Sequence, residues 1–420
     1  MRQACFPIIL FVAGWCAVLS SPLIPSPPEQ PQKTTGEANT EYPFRFPEKG
    51  NIRPMLSPDG RWIVFQEAGD PTSGWFYTEV GKEEKNLLPL AKKKVPGKVI
   101  PGLACWSREG KTLALLARID DLEQVVLVSF AGSAPRFIAS IPDADIGYPV
   151  WLESGEFLYL ASAPGRIMVA SSKGKVRTLT SHVGGPSDRG LFYFQATPRG
   201  DVLYLGGDSL ALLKFGDSGR IKVTEVYHTP EPLTFSFSPN GRFALLDGGS
   251  AHQGQVLLLD LAASQMKESL ELGKNLQLEM KDAKVIMTLP QPAQSEWSPD
   301  GARLACLEKG PQGRFFILDA ASGARKELSD AVDNFAWMPD GRRILFSTSS
   351  TADPGLFVMS AEDGTIIGKL SSTAAGDPPG LSADGKVIVW QARGAEAFFV
   401  LRQEGQVLNY KNLIFQDLTP

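Results

Sequence analysis

The residues best suited to chemistry in this chain are aspartates that lie just after or just before short apolar segments. Carboxylates in such loops can hold Ca²⁺ or act as general acids and bases. Aspartate is also a common turn residue, so ordinary turn formation is the alternative explanation. Aromatic neighbours in the same loops would suit contact with a peptide or a glycan. The candidate binding residues are Asp70, Trp75, Asp120, Asp121, Asp145, Tyr148, Asp188, Asp208, Asp247, His252, Asp333 and Asp377.

Several catalytic signatures are missing from the sequence. The only histidines are His182, His228 and His252, and a zinc site would need all three on one face within a few ångströms. No G-x-S-x-G, C-x-x-C or H-E-x-x-H motif occurs. The sequence therefore predicts no catalytic residue, no cofactor and no metal, except that Ca²⁺ at the acidic loops stays open.

A turn closed by glycine recurs eight times and organises the chain. In the clearest copies proline takes the second turn position, Asp or Asn the third, and glycine the left-handed fourth. Most copies lie roughly 40–45 residues apart, which is the length of one four-stranded propeller blade. We interpret the turn residues Asp59, Asn240, Asp300 and Asp340 as structural. The glycines are Gly60, Gly110, Gly155, Gly200, Gly241, Gly301, Gly341 and Gly385.

The segment that follows each turn is apolar at consecutive positions, as in Leu113, Ala114 and Leu115. A strand with one wet face would alternate apolar and polar residues, so these strands must lie between two sheets. Blades stacked around a ring provide that environment. The predicted fold is an all-β propeller of four-stranded antiparallel blades, with eight blades expected and seven as the alternative. Unrelated hairpins in a sandwich are a further alternative.

At this point the chain resembles the TolB-like, WD-related β-propeller repeat. Trp297-Ser298-Pro299-Asp300-Gly301 matches the W-S-P-D-G hallmark, and Trp337-Met338-Pro339-Asp340-Gly341 nearly does. The copies that end at Gly155 and Gly200 depart from it. The resemblance implies an exported bacterial propeller, either a periplasmic interaction platform or the propeller domain of a prolyl-oligopeptidase-like peptidase.

The N-terminal residues predict export. Arg2 precedes an apolar stretch from Phe6 to Leu19, and small residues follow, as in a secretory signal peptide. We therefore assign 1–20 to a signal peptide and 21–42 to a proline-rich, disordered linker. Residues 43–420 form one propeller domain, in a protein that is periplasmic or secreted and has no transmembrane segment after cleavage.

The charge and the cysteine content of the chain indicate neither a nucleic-acid partner nor a disulfide. The net charge is −4, with both signs interspersed, so no nucleic-acid footprint is indicated. Outside the signal peptide only Cys105 and Cys306 remain. They fall in repeats on opposite sides of an eight-bladed ring, so we expect two buried free thiols rather than a disulfide.

Two places interrupt the regular repeat. The interval between Gly241 and Gly301 is the longest, and predicts an insertion at 264–290 that forms an extra hairpin or a lengthened outer strand. The strand-like segments 42–47 and 412–418 lie at opposite ends of the chain. Either could complete a blade and close the ring.

The leading hypothesis for function is a non-enzymatic, monomeric propeller that binds a protein or peptide of the cell envelope. An enzyme that uses carboxylates at the channel mouth, a hydrolase or lyase acting on a lactone or glycan, is the alternative. A stand-alone relative of the peptidase propeller is the third reading. The sequence does not choose a ligand among these.

Overall fold

The computed structural model is all-β throughout the part of the chain that it describes. The described residues are 40–45, 54–66, 75–80, 88–89, 98–119, 122–141, 150–161, 166–180, 191–197, 200–206, 209–215, 221–228, 234–247, 255–271, 276–308, 314–329, 331–391, 393 and 397–402. In chain order the strands are β1 Thr40–Arg45, β2 Met55–Leu56, β3 Trp62–Gln66, β4 Trp75–Glu79, β5 Leu88–Pro89, β6 Lys98–Trp106, β7 Thr112–Ile119, β8 Leu122–Ser129, β9 Arg136–Ile141, β10 Val150–Trp151, β11 Glu156–Ala161, β12 Arg166–Ser171, β13 Val176–Thr180, β14 Leu191–Ala196, β15 Val202–Gly206, β16 Ser209–Phe215, β17 Ile221–His228, β18 Thr234–Phe237, β19 Phe243–Asp247, β20 Gln255–Glu271, β21 Leu276–Pro290, β22 Gln294–Trp297, β23 Arg303–Leu307, β24 Phe315–Asp319, β25 Arg325–Ser329, β26 Asn334–Trp337, β27 Arg343–Thr348, β28 Gly355–Ser360, β29 Ile366–Ser371, β30 Gly380–Leu381, β31 Val387–Gln391 and β32 Ala397–Arg402.

These strands form eight four-stranded antiparallel blades arranged as a β-propeller. Seven blades are meanders in sequence order, and the first begins with β2 and ends with β5. The innermost strands, β2, β6, β10, β14, β18, β22, β26 and β30, bound the central channel. The eight-bladed prediction is confirmed, and the seven-bladed alternative is excluded.

The ring closes with a strand from the N-terminal side of the chain. The last blade has the order β1-β32-β31-β30, so β1 is its outermost strand. Thr40 pairs with Arg402 and Arg45 with Ala397. The strand begins at Thr40, inside the segment that the sequence assigns to the linker. The other candidate for closure, 412–418, lies outside the described residues.

The core lies between blades, as the apolar second strands predict. Leu113 and Leu115 pack into a cluster with the first blade, whereas Ala114, between them, packs against the third. Ile344 and Phe346 likewise face the sixth blade. Each second strand is thus buried on both faces, which removes apolar surface from water on both sides of every blade.

The repeated turn is held by its own side chains. In the first copy the Ser57 hydroxyl accepts a hydrogen bond from the Trp62 backbone N–H at 2.8 Å and donates one to Asp59 at 2.6 Å. The Gly60 N–H donates to the Ser57 carbonyl at 2.8 Å. All predicted turn glycines, Gly60, Gly110, Gly241, Gly301, Gly341 and Gly385 among them, have positive φ.

The turns also contact one another around the ring. A Cβ on Gly301 would lie 2.7 Å from Asn240 in the turn of the preceding blade, and one on Gly110 would lie 2.7 Å from Asp59. Ring closure continues the pattern, because the Ala383 N–H donates to the Pro58 carbonyl at 2.8 Å. The face of the ring that carries the turns is therefore used for joining blades.

The fifth blade contains the long interval of the sequence. Its outer strands β20 and β21 have 17 and 15 residues. The N-terminal part of β21 pairs in parallel with β17 of the fourth blade, from Leu276 opposite Ile221 to Met280 opposite Glu225. The extra residues thus lengthen two strands and join two blades into one eight-stranded sheet.

Candidate functional site

Most of the loop residues singled out from the sequence lie outside the described part of the structure. Trp75 begins β4 and Asp247 ends β19. Asp333 and Asp377 are described with their side chains, and both are half-buried. The remaining candidates, which lie outside the described residues, are Asp70, Asp120, Asp121, Asp145, Tyr148, Asp188, Asp208 and His252.

Asp333 links the loops of the seventh and eighth blades. Its Oδ2 accepts hydrogen bonds from the Ser349 backbone N–H at 2.6 Å and from Nη1 of Arg393 at 2.9 Å. The same Arg393 nitrogen donates to the Ser349 hydroxyl, and the Arg393 backbone N–H donates to the Ala374 carbonyl at 2.9 Å. Asp333 therefore already has a cationic partner and joins neighbouring loops.

Within the described ranges, no group of three or more His, Cys, Asp or Glu residues is arranged to hold a metal ion. The predicted Ca²⁺ involves loop aspartates that lie mostly outside those ranges, so it stays a prediction. The described residues also contain no helix long and apolar enough to cross a membrane.

The described residues do assemble a second candidate site, at the channel wall. It consists of the residues five positions before each turn glycine, all on innermost strands. Seven of the eight are half-buried, and Ala336 is buried. We call this set the wall ring. In blade order it is Met55, Cys105, Val150, Gln195, Ser236, Glu296, Ala336 and Gly380.

The wall ring has two unlike arcs. Three consecutive blades, the fourth to the sixth, contribute Gln195, Ser236 and Glu296. The other five contribute small or apolar side chains. Met55, Cys105 and Val150 also pack against the apolar clusters between blades. The polar side chains of the ring are therefore confined to one arc.

Gln195 and Glu296 bond to the free edge of the next innermost strand, whereas the Ser236 hydroxyl accepts from the Trp297 indole N–H at 2.8 Å. The Phe237 N–H donates to Oε1 of Gln195 at 2.7 Å, and Nε2 of Gln195 donates to the Phe235 carbonyl at 3.3 Å. An innermost strand has no neighbour on its channel side, so its backbone groups there need other partners. Gln195 supplies one donor and one acceptor to that edge.

The same arrangement recurs between the sixth and seventh blades with different residues. Nε2 of Gln294 donates to the Phe335 carbonyl at 2.7 Å, and the Phe335 N–H donates to Oε1 of Gln294 at 3.3 Å. Two positions further along β22, Oε2 of Glu296 accepts from the Trp337 N–H at 3.3 Å. The Trp337 indole N–H donates back to the Glu296 carbonyl at 3.0 Å.

Glu296 is a desolvated carboxylate with few compensating partners. Desolvation raises the pKa of Glu296 to about 7, against the lowering effect of the Trp337 N–H. Burial disfavours the charged form of a carboxylic acid, and a single long hydrogen bond compensates it poorly. Glu296 therefore changes charge near neutral pH at the wall of the channel.

The two cysteines are unpaired, as predicted, although a buried position was expected for Cys105 as well as for Cys306. Cys306 is buried and Cys105 half-buried, and burial raises the pKa of both thiols, that of Cys306 to about 12. Thiols of this kind are neutral and poorly nucleophilic at physiological pH. Cys105 contributes to the wall ring as a small apolar side chain.

Sequence reasoning missed the wall ring, although the sequence contains its signal. The residue four positions before most of the turn glycines is large and apolar, such as Trp297 and Trp337. The adjacent position breaks the apolar pattern with Gln195, Ser236 and Glu296. At this position the side chain lies on the opposite face of the strand from the large residue and reaches the next blade.

No protein-family model and no curated protein matches this chain. Solved structures do match. Sqt1 from Chaetomium thermophilum is 13% identical, covers 85% of this chain and 97% of its own, and has a TM-score of 0.55. The same protein bound to the N-terminus of the ribosomal protein L10 is 13% identical over 83% of this chain and 95% of its own, with a TM-score of 0.53.

An oligogalacturonate lyase in complex with manganese is 12% identical over 87% of this chain and 98% of its own, with a TM-score of 0.47. At these identities the similarities show the fold alone. The neighbours include WD-repeat propellers, and none of them identifies the TolB-like family.

Proposed function

We propose that this protein is a propeller platform that binds a segment of a protein or peptide partner in its central channel. The observation that carries the proposal is the division of the wall ring into a polar arc and an apolar remainder. Peptide segments present backbone hydrogen-bonding groups along one side, so a wall whose polar side chains lie in one arc suits them. Supporting this, Sqt1 is a structural neighbour that binds a protein terminus.

The two faces of the ring differ, and the difference agrees with this proposal. The turn face is occupied by contacts between successive blades, as at Gly301 and Asn240. The irregular loops are on the other face, where Arg393 is about half exposed beside Asp333. A partner would therefore enter the channel from the loop face.

Export to the periplasm or the medium, in a relative of the TolB-like propellers, belongs to the same proposal. Its support is the sequence of residues 1–20 and the W-S-P-D-G repeat. Cell fractionation of the tagged protein tests export, and retention in the cytoplasm would contradict it.

Photo-crosslinking tests the site of binding. A photo-crosslinking phenylalanine at Met55, in the wall ring, is expected to capture a partner from the envelope fraction. The same residue at Phe137, which is 42% exposed on an outermost strand, is the matched control and is expected to capture none. Equal capture at both positions, or none at either, would contradict binding in the channel.

Glu296 favours one second candidate, an enzyme that acts on a lactone or a glycan. A carboxylic acid whose pKa is about 7 is well suited to general acid–base catalysis at neutral pH. The test is turnover of aldonolactones and oligogalacturonides between pH 6 and 8 by the wild type and by Glu296→Gln. Turnover that requires Glu296 would favour the enzyme over the platform.

A further inference from the structure

We infer that Glu296 binds a cationic group, the ammonium or guanidinium of a basic side chain, on a peptide segment that enters the channel. This inference deepens the proposed peptide-binding function and rests on it. It assigns one specific contact to one residue of the wall ring.

The first argument is that the charge of Glu296 is uncompensated. No ion pair joins it to a cation among the residues that the structure describes. Its antiparallel partner on β23 is Ala305, and its contact on β26 is the backbone of Trp337. On β23, Arg303 lies on the same face as Ala305 with its guanidinium 5.0 Å from the Trp337 ring, but it donates to the Gly341 carbonyl rather than to Glu296. The Cys306 thiol packs on the opposite face, against the fifth blade. A ligand cation would supply the missing charge.

Asp260 is a second buried carboxylate of the same chain, and its charge is compensated by several partners. Asp260 is 4% exposed, and Arg242 donates to its Oδ2 at 2.8 Å. The N–H groups of Ala262 and Ala263 donate to its Oδ1 at 3.0 and 3.1 Å. These partners outweigh burial and lower the pKa of Asp260. Glu296 has one N–H donor instead of this set.

The third argument is spare hydrogen-bonding capacity. An ionised carboxylate offers about four lone-pair sites, and Glu296 uses one of them, at 3.3 Å. Its Oε1 has no hydrogen-bond donor among the described residues. A lysine ammonium carries three N–H donors and an arginine guanidinium five, so either group can occupy the remaining sites.

The surroundings suit the rest of a basic side chain. Lysine and arginine place long apolar stems against apolar surface while the charged end stays polar. The wall ring continues from Glu296 to Ala336 and Gly380, and then to Met55. The uncharged positions that follow Glu296 in the ring therefore repel neither the stem nor the charged end of a basic side chain.

Two degenerate peptide libraries test the inference. One has lysine at the central position of a capped pentapeptide, and the other has norleucine there, which keeps the stem and removes the charge. Capture on the immobilised protein at pH 8 is expected to favour the lysine library. Because the pKa of free Glu296 is about 7, affinity for lysine peptides should fall about tenfold between pH 8 and pH 6.

Variants separate the contact from general charge effects. Glu296→Gln keeps an acceptor for the Trp337 N–H and should abolish both the lysine preference and its pH dependence. Glu327→Gln removes the same charge from an exposed position on β25 of the same blade and should change neither. Thermal unfolding of each variant checks that the ring is intact.

The outcomes distinguish this inference from the proposed function. If both libraries bind the wild type equally, or if Glu296→Gln keeps the lysine preference, the cation contact is wrong and peptide binding stands. If neither library binds at either pH, both the contact and the proposed function are contradicted.

Discussion

Gln195 and Glu296 occupy the same position in their repeats, five residues before the turn glycine. Each accepts a hydrogen bond from the equivalent backbone N–H of the next blade, at Phe237 and Trp337. The Gln195 amide also donates to a carbonyl of that edge. An ionised Glu296 has no proton to donate, and Gln294 provides that bond in its place.

The comparison shows that one geometry can join two blades with different electrostatic consequences. We call the contact of Gln195 with the fifth blade the amide junction and the contact of Glu296 with the seventh blade the carboxyl junction. The amide junction has the same charge at every pH. The carboxyl junction is neutral in acid and charged in alkali, and its charged form is poorly solvated. Substitutions at either junction should therefore separate the energy of packing, of hydrogen bonding and of charge.

The largest effect is expected from Trp337→Ala, which removes the aromatic side of the Glu296 junction. Trp337 is 5% exposed, its ring lies 5.0 Å from the Arg303 guanidinium, and its indole N–H bonds to the Glu296 carbonyl. Loss of a buried aromatic side chain costs about 3–5 kcal/mol of unfolding free energy. Urea unfolding at pH 7 measures it.

Phe237→Ala is the matched substitution at the Gln195 junction, because Phe237 is similarly buried but has no indole N–H. We expect it to cost less than Trp337→Ala by about 1 kcal/mol, the value of one hydrogen bond. Trp337→Phe should lose about that much and little else. Equal costs for the two alanine variants would show that the indole bond contributes nothing.

The next effect is the pH dependence of Glu296→Gln. The pKa of Glu296 is raised from 4.5 to about 7 in the folded protein, so the folded state holds a proton that the unfolded state has lost. The stability that this group contributes is complete below pH 4.5 and is lost as pH rises through 7. Glu296→Gln should therefore match the wild type at pH 4.5 and exceed it at pH 8, by roughly 1–3 kcal/mol.

Urea unfolding of both proteins across pH 4.5–8 measures this difference, with Glu327→Gln as the control for net charge. A difference that stays constant over the range would show that folding does not shift the pKa of Glu296. A lower stability of Glu296→Gln at pH 8 would show that the carboxylate has a compensating cation.

The blades could be predicted from the sequence because their signals are local. Turn chemistry and an apolar second strand recur within each repeat, and β7 and β27 begin two residues after Gly110 and Gly341. The extension of β20 to Glu271 could not be predicted in the same way. Its hairpin partner β21 pairs with β17 of the fourth blade, and no local sequence pattern predicts that pairing.

The candidate site was harder to predict because it depends on contacts between repeats. Asp333 looked like a possible ligand from its loop position, but its role depends on Arg393, which lies 60 residues away in the next blade. Glu296 lacked any motif, and its pKa follows from burial rather than from neighbours in sequence. A strand edge facing a channel becomes visible only when the ring is assembled.

The smallest effect on stability is expected at Gln195. A single substitution there converts the amide junction into a carboxyl junction. Gln195→Leu leaves the Phe237 N–H and the Phe235 carbonyl without that partner, which should cost about 1–2 kcal/mol at any pH. Gln195→Glu keeps the acceptor and adds a charge, so its cost should be small at pH 4.5 and grow toward pH 8. Urea unfolding at both pH values measures the two variants. If Gln195→Glu proves insensitive to pH, the raised pKa of Glu296 comes from its own surroundings and not from the position that the two residues share.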